Sequence, residues 1–313
     1  MDIDLVYLWV DGNDPEWLAK RNALLGNIKE SSEDCKGRYA DNDELRYSLR
    51  SVEKYAPWIR KIFIVTDNQT PDWLDATNPK IKIVDHKEIL PKESLPCFNS
   101  TVIESFLYKI PNLSEHFLYA NDDMFFNAFV QPDFFFETDG FPIVCLKREL
   151  FGKWHYRIYC WAKFLTGKKP GQYPKTIKDA SLLVKKKFGK YYSDIPHHNI
   201  DAYKKSDFRE AMETVFREQI ESSLRHHVRI MDDLQRVAIS YYVLAIGHGH
   251  LKYVRKYETM RISAHKANFM ERLFSYQPKL FCLNDCQRTK DEDRARIKPF
   301  LEKLFPEKSI FEK

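Results

Sequence analysis

The stretch Phe117-Leu118-Tyr119-Ala120-Asn121-Asp122-Asp123-Met124-Phe125-Phe126 decides how the rest of the chain is read. A short apolar run with closely spaced aromatic side chains has the character of a buried strand. It stops at Asn121-Asp122-Asp123, and a second apolar run begins at once. Two adjacent carboxylates at the end of a buried strand are costly unless a partner offsets their desolvation. A hard divalent cation such as Mg²⁺ or Mn²⁺ does so, combining one or two carboxylates with phosphate oxygens and water. An Asx turn is the plainer alternative, because Asn and Asp end many strands. The stretch alone leaves both open.

Upstream, Leu5 to Val10 is an apolar run stopped by Asp11-Gly12-Asn13-Asp14-Pro15, which predicts a central strand and a polar turn. Ligands of open α/β sheets sit beyond the carboxyl ends of strands, so Trp9 to Asp14 are candidates for a site. A plain tight turn accounts for Gly12 but not for Trp9 beside it. Residues 41–56 predict a helix, with Asp41 and Glu44 as a helix-start pair and Leu45, Leu49, Val52 and Ala56 as its apolar stripe. Asn42, Arg46 and Arg50 share a neighbouring face. Two stacked guanidinium groups suit a diphosphate; a solvated face with Arg50 paired to Glu53 is the alternative. Arg60 to Thr66 and Lys80 to Asp85 predict strands. Asn99-Ser100 opens a helix to about Ile110, in which a capping box from Thr101 to Glu104 accounts for Glu104. The order strand, helix, strand, strand, helix, strand predicts an α/β fold with a mostly parallel sheet flanked by helices. Neither a G-x-G-x-x-G fingerprint nor a P-loop is present.

Downstream, residues 146–192 form a basic, aromatic insertion containing Lys168-Lys169, Lys185-Lys186-Lys187, Trp154, Tyr156, Tyr159 and Trp161. It reads as amphipathic helices with solvated lysines, or as an acceptor-binding or membrane-facing element. Residues 193–313 predict a helical portion. His197, in Ile195-Pro196-His197-His198, is neutral near pH 7 and able to ligate, donate or accept a proton. Leu280-Phe281-Cys282-Leu283-Asn284-Asp285 repeats the opening theme of apolar residues that stop at Asn-Asp. Two such strand ends suit one shared metal site. The organisation expected is one compact catalytic domain: a 1–145 core, the 146–192 insertion and a 193–313 portion completing the site.

Composition sets outer limits. The chain has 313 residues, 43% hydrophobic and 30% charged, which fits an ordinary globular domain. A formal net charge of +5 does not mark a nucleic-acid binder, and no nucleic-acid partner is expected. Cys35, Cys97, Cys145, Cys160, Cys282 and Cys286 show no zinc-type spacing and read as free thiols of a reducing compartment. With no signal-peptide pattern and no apolar run long enough to span a bilayer, the expectation is a cytoplasmic protein, at most peripheral at the inner face of a membrane.

Taken together, these motifs resemble the Stealth family of capsular polysaccharide phosphotransferases, which also includes the α/β precursor of the lysosomal-enzyme GlcNAc-1-phosphotransferase. Val6-Tyr7-Leu8-Trp9-Val10-Asp11-Gly12 is similar to the family's first region. Asp41-Asn42-Asp43-Glu44-Leu45-Arg46-Tyr47-Ser48-Leu49-Arg50-Ser51, Ala56-Pro57-Trp58, Phe98-Asn99-Ser100 and Asn121-Asp122-Asp123 follow its second. Pro196-His197, Arg229 and Asp233 are similar to the third, with Ile230 where the vertebrate enzyme has a histidine. Cys282-Leu283-Asn284-Asp285 and Phe305-Pro306 are similar to the fourth.

The resemblance implies a GT-A-like core and transfer of hexose-1-phosphate from a UDP-sugar to a hydroxyl of an oligosaccharide or lipid-linked glycan, with release of UMP. Asp122, Asp123, Asn284 and Asp285 are then the candidate ligands for Mg²⁺ or Mn²⁺. Arg46, Arg50 and Arg229 would take the phosphate charge. Trp9, Asp11 and Gly12 would hold the uridine, and Asn42, Asn99, Ser100 and Asp233 complete the substrate-binding candidates. Asp123 is the candidate base, with His197 as its substitute. A conventional glycosyltransferase releasing UDP and a non-catalytic carbohydrate-binding module are the alternatives.

Overall fold

A computed structural model describes residues 1–313 except 27–36, 38, 169, 171 and 231, so Cys35 and Lys169 lie outside the described residues. Its strands are β1 (Ile3–Leu8), β2 (Ile62–Thr66), β3 (Ile81–Asp85), β4 (His116–Asn121), β5 (Met124–Phe126) and β6 (Ile143–Lys147). The remainder are β7 (Ile195–Pro196), β8 (Asp201–Lys204), β9 (His250–Tyr253), β10 (Thr259–Ser263) and β11 (Leu280–Asn284). Among the described residues the main sheet runs β3-β2-β1-β4-β8, parallel throughout except for the antiparallel edge strand β8. This is the expected α/β architecture with a mostly parallel sheet and flanking helices.

The inner strands β1, β2 and β4 are apolar on both faces because both faces are covered. Val6, Phe63, Val65, Phe117 and Tyr119 point into one core, shared with Val102, Ile103 and the helix Val237–Ile246. Leu5, Tyr7, Ile62, Ile64, Leu118 and Ala120 point into the other, under Leu45, Leu49 and Val52. The latter three form the predicted stripe of the helix Glu44–Tyr55. A smaller sheet, β10-β11-β5, packs against the helices Phe269–Tyr276 and Ile297–Leu304 around a stack of Phe125 on Phe281 at 4.7 Å. The C-terminal portion therefore carries the expected helices and also supplies strands to all three sheets.

Two helix starts differ from expectation. The helix after residue 41 begins at Glu44, behind Asp43 in the left-handed conformation (φ 66°). Glu44 is buried and reaches backwards, accepting from the Asn42 backbone N–H (2.6 Å) and side-chain amide (2.7 Å). The predicted Asp41–Glu44 pair is thus replaced by a local bond that withdraws Asn42 from ligand duty. The second helix is Ser100–Ser105, capped by Asn99 accepting from the Thr101 N–H at 3.1 Å, so Glu104 is not a capping residue. It ends early, in a tight turn over Leu107–Lys109.

Candidate active site

The carboxyl ends of β1 and β4 open into a cleft of about 530 Å³. Its floor is the turn Asn121-Asp122-Asp123. The ladder between β11 and β5 brings the second Asn-Asp strand end to the same place, with the Leu283 N–H donating to the Asp123 carbonyl at 2.8 Å. Asn121, Asp122, Asp123, Asn284 and Asp285 all line the cleft. Residues separated by about 160 positions in the chain meet because an antiparallel pairing folds the C-terminal sheet back onto the first.

Burial and like charge set the electrostatics of this floor. The Asp122 carboxyl is raised well above the usual range by burial, then by the charges of Glu44, Asp123 and Asp41. Burial pushes Asp123 up to about 6, opposed by the Cys282 thiol, which donates to Oδ2 at 3.3 Å, while Asp285 adds to the rise. Burial also pushes Asp41 up to about 6 and Glu44 up to about 8. The buried Asp123 Oδ1 has no hydrogen-bond partner. An unsatisfied carboxylate oxygen amid mutually repelling acids fits a divalent cation. Among the described residues no group of three or more His, Cys, Asp or Glu side chains is gathered to hold one. A cation there would draw on Asp122, Asp123 and Asn284 together with water or substrate oxygens, the mixed set that Mg²⁺ favours. Asp285 is less available, since both its oxygens accept from Arg294 at 2.7 and 3.1 Å.

Three arginines share the cleft with these acids. Arg229 lines the cleft, with Nη2 donating to Gln235 at 2.6 Å. Arg236, at the start of the helix Val237–Ile246, pairs with Asp201 (3.1 Å) and Glu104 (3.5 Å) and lies over the Tyr119 ring at 4.2 Å. Arg261 of β10 is exposed into the cleft, in register with Cys282 and hence beside Asp123. His197 is buried, with Nε2 3.1 Å from Asp201 Oδ1 and Nδ1 without a partner. His198 is driven down to about 3 by burial and by Arg261 and Arg236, so it is neutral at working pH. The far end is aromatic: Trp9, Trp17, Tyr39 and Phe98 line it, with Trp17 5.1 Å from Tyr39 and 5.2 Å from Phe98.

Several predicted residues stand elsewhere. Arg46 and Arg50 do not line the cleft; both grip the buried carboxylate of Glu312, Arg46 Nε at 2.5 Å and Arg50 Nε at 2.7 Å. Arg50 also donates to the Phe305 carbonyl at 2.7 Å, so the pair ties down the C-terminal segment. A nearby buried anion, invisible in local spacing, takes the role that sequence assigned to a diphosphate. Asp11 and Gly12 position the loop behind Trp9. The Asp11 N–H and carbonyl bond the Gln69 amide, each at 3.0 Å, and the Gly12 N–H donates to Tyr39 at 2.7 Å. A Cβ on Gly12 would lie 2.3 Å from that carbonyl oxygen. Asn99 and Asp233 are buried partners at 2.8 Å. They pin the loop that presents Arg229, with Asp233 also accepting from His226 at 2.7 Å. Ser100 and Trp9 do line the cleft.

Arg236, Arg261, Asp201, Glu104 and His198 were missed. Arg261 sits in a short strand with alternating polarity, which gave no local signal. Arg236 follows Asp233 by three residues at a helix start, which is the one pointer the chain offered.

Residues 38–144 match Stealth protein CR2, conserved region 2, and residues 1–29 match Stealth protein CR1, conserved region 1. The capsular polysaccharide phosphotransferase fcs1 of Haemophilus influenzae is 35% identical over 295 residues, covering 90% of this chain and 78% of that protein. Capsular polysaccharide phosphotransferase cps12A of Actinobacillus pleuropneumoniae is 47% identical over 157 residues, 49% of this chain and 42% of its own length. The chain thus spans less than half of the relative with the higher identity. The solved galactosyltransferase LgtC, in complex with donor and acceptor sugar analogs, aligns at 12% identity with a TM-score of 0.48, covering 98% of this chain and 96% of that one.

Proposed function

The chain belongs to the Stealth family, and from that premise we propose that it is a hexose-1-phosphate transferase of capsular or cell-surface polysaccharide synthesis. The donor in this reading is a UDP-sugar and the acceptor a glycan hydroxyl. The observation that carries it is the meeting of two Asn-Asp strand ends with Arg229, Arg236 and Arg261 in one cleft with an aromatic end. That arrangement suits a diphosphate flanked by a flat base and a sugar.

The acceptor oxygen attacks the phosphorus that bears the sugar. The bond from that phosphorus to the oxygen bridging the two phosphates breaks, and UMP departs with the electron pair. The sugar's anomeric bond is untouched. Such a transfer needs positioning and charge neutralisation more than covalent help. Asp122, Asp123 and Asn284 would hold Mg²⁺ or Mn²⁺, which supplies neutralising charge at the diphosphate when bound. Arg261 and Arg229 face the non-bridging oxygens, while Arg236 is held rigid by Asp201 and Glu104. Trp9 and the rings beside it receive the uracil. With Asp123 among the cation's ligands, His197, whose Nδ1 has no partner and whose Nε2 meets Asp201 in the same cleft, takes the acceptor's proton.

The test is mass spectrometry of products from a panel of UDP-sugars with acceptor glycans and Mn²⁺. UMP together with an acceptor heavier by a hexose phosphate supports the reading. UDP with an acceptor heavier by a bare hexose overturns it in favour of a conventional glycosyltransferase.

A further inference from the structure

The helix His155–Leu165 buries none of its residues. Trp154, just before it, is followed at helical spacing by Ile158, Trp161 and Leu165, and all four are exposed. Phe164 is 81% exposed and Leu150 90%, so the apolar stripe is wide and uncovered. A soluble surface rarely leaves such a patch without a partner. Beside the stripe run Lys153, Arg157 and Lys163, and residues 150–178 contain no Asp or Glu. Arg157 lies over the Trp154 ring at 5.1 Å and Lys163 over Tyr159 at 5.4 Å, which carries cationic heads along the aromatic bodies. The acids around it are engaged: Glu149 lies 2.8 Å from His155, Asp194 accepts the Glu149 N–H, and Asp179 of the next helix pairs with Lys175 at 2.8 Å.

We propose that this helix is an interfacial anchor that docks the protein onto an anionic lipid bilayer. Charge selects the occupant. The exposed stripe is flanked by Lys153, Arg157 and Lys163 in a segment, 150–178, whose sequence holds no acid, so it repels a second copy of itself. It is a protruding helix rather than a concave pocket, and it lacks the carboxylates and amides that receive sugar hydroxyls. Tryptophans at the level of headgroups, aliphatic residues below them and lysines reaching phosphates are the composition of an in-plane helix. Among the described residues no helix is long and apolar enough to cross a membrane, so the contact lies on the surface. Tyr173, in the next helix Gln172–Phe188, lines the cleft, so docking brings the cleft's rim to the lipid. The anchor stands independently of the transferase reading, because its test measures lipid binding rather than turnover.

The experiment is cosedimentation of the 313-residue chain with vesicles of neutral phosphatidylcholine and with vesicles containing roughly one-third phosphatidylglycerol. Binding to the anionic vesicles is expected to exceed that to neutral ones by about tenfold or more and to fall at high salt. Trp154→Ser with Trp161→Ser, and separately Lys153→Glu with Arg157→Glu, should each lower it by about tenfold with unchanged thermal unfolding. These side chains are exposed, so the variants keep the fold. Absence of vesicle binding by the unaltered chain overturns the proposal, as does equal binding by both variants. A concentration-dependent dimer abolished by the tryptophan variant, without lipid binding, would assign the patch to a second copy instead.

Discussion

Glu312→Gln tests the reassignment of Arg46 and Arg50 from substrate to structure. The Glu312 side chain is buried and accepts from Arg46 Nε (2.5 Å), Arg50 Nε (2.7 Å), Arg50 Nη2 (2.9 Å) and the Ser309 N–H (2.9 Å). Burial raises its carboxyl, but the bonds from Arg50, Ser309 and Arg46 win and bring it from 4.5 down to about 2. At about 1.4 kcal/mol per pH unit, and reduced by solvent screening, that fall is worth about 2–3 kcal/mol of folding stability. The glutamine keeps shape and loses charge, leaving two guanidinium groups without an anion, so a loss of about 2–4 kcal/mol is expected at pH 7. Because the native value lies below the unfolded one, the stabilisation is complete above 4.5 and disappears as pH falls toward 2. Urea unfolding should therefore separate the two proteins at pH 7 and bring them together under acid. The donor KM, measured where both are folded, should be unchanged. An unaltered urea midpoint with a tenfold higher KM would refute this assignment and return the arginines to the diphosphate.

Four further outcomes follow from the cleft. Asp123→Asn should lower kcat by about 10²–10⁴ with circular dichroism unchanged; near-normal turnover would remove Asp123 from the chemistry. Arg261→Ala should lower kcat/KM by about 10² through lost phosphate neutralisation, and Arg261→Lys should recover part of it; equal rates in all three proteins would exclude a role. Removing divalent cations with EDTA should stop turnover, and Mn²⁺ should restore it; full activity in excess chelator contradicts the cation site. Gly12→Ala places a Cβ 2.3 Å from the Tyr39 carbonyl oxygen and should cost about 1–3 kcal/mol in urea unfolding, a value near zero showing that the loop gives way freely.

Much of the fold was legible because its signals are local. The apolar runs at Leu5, Ile62 and Phe117 became inner parallel strands, since a strand covered on both faces needs continuous apolar residues, and the alternating Ile81-Lys82-Ile83-Val84 became the parallel edge strand β3. The stripe Leu45-Leu49-Val52 became a core face for the same kind of reason. Both Asn-Asp strand ends were visible as motifs.

Partnership was not legible. Arg46 and Arg50 stand on one helix face in either reading, and only the return of residue 312 shows which anion they hold. Glu104 fits a capping box by spacing, yet its carboxylate faces Arg236, 132 positions along the chain. Arg261 enters the site only because β10 and β11 are in register beside the Asp123 turn. Sequence by itself determined the four parallel strands, the helix stripe Leu45-Leu49-Val52 and both Asn-Asp strand ends, because those depend on neighbours one to four residues away. Short strands such as β7 to β10, in the portion expected to be helical, form only through their pairing partners. Tertiary structure alone decided which charges face one another, because sheet pairing joins segments whose separation in the chain leaves no local trace.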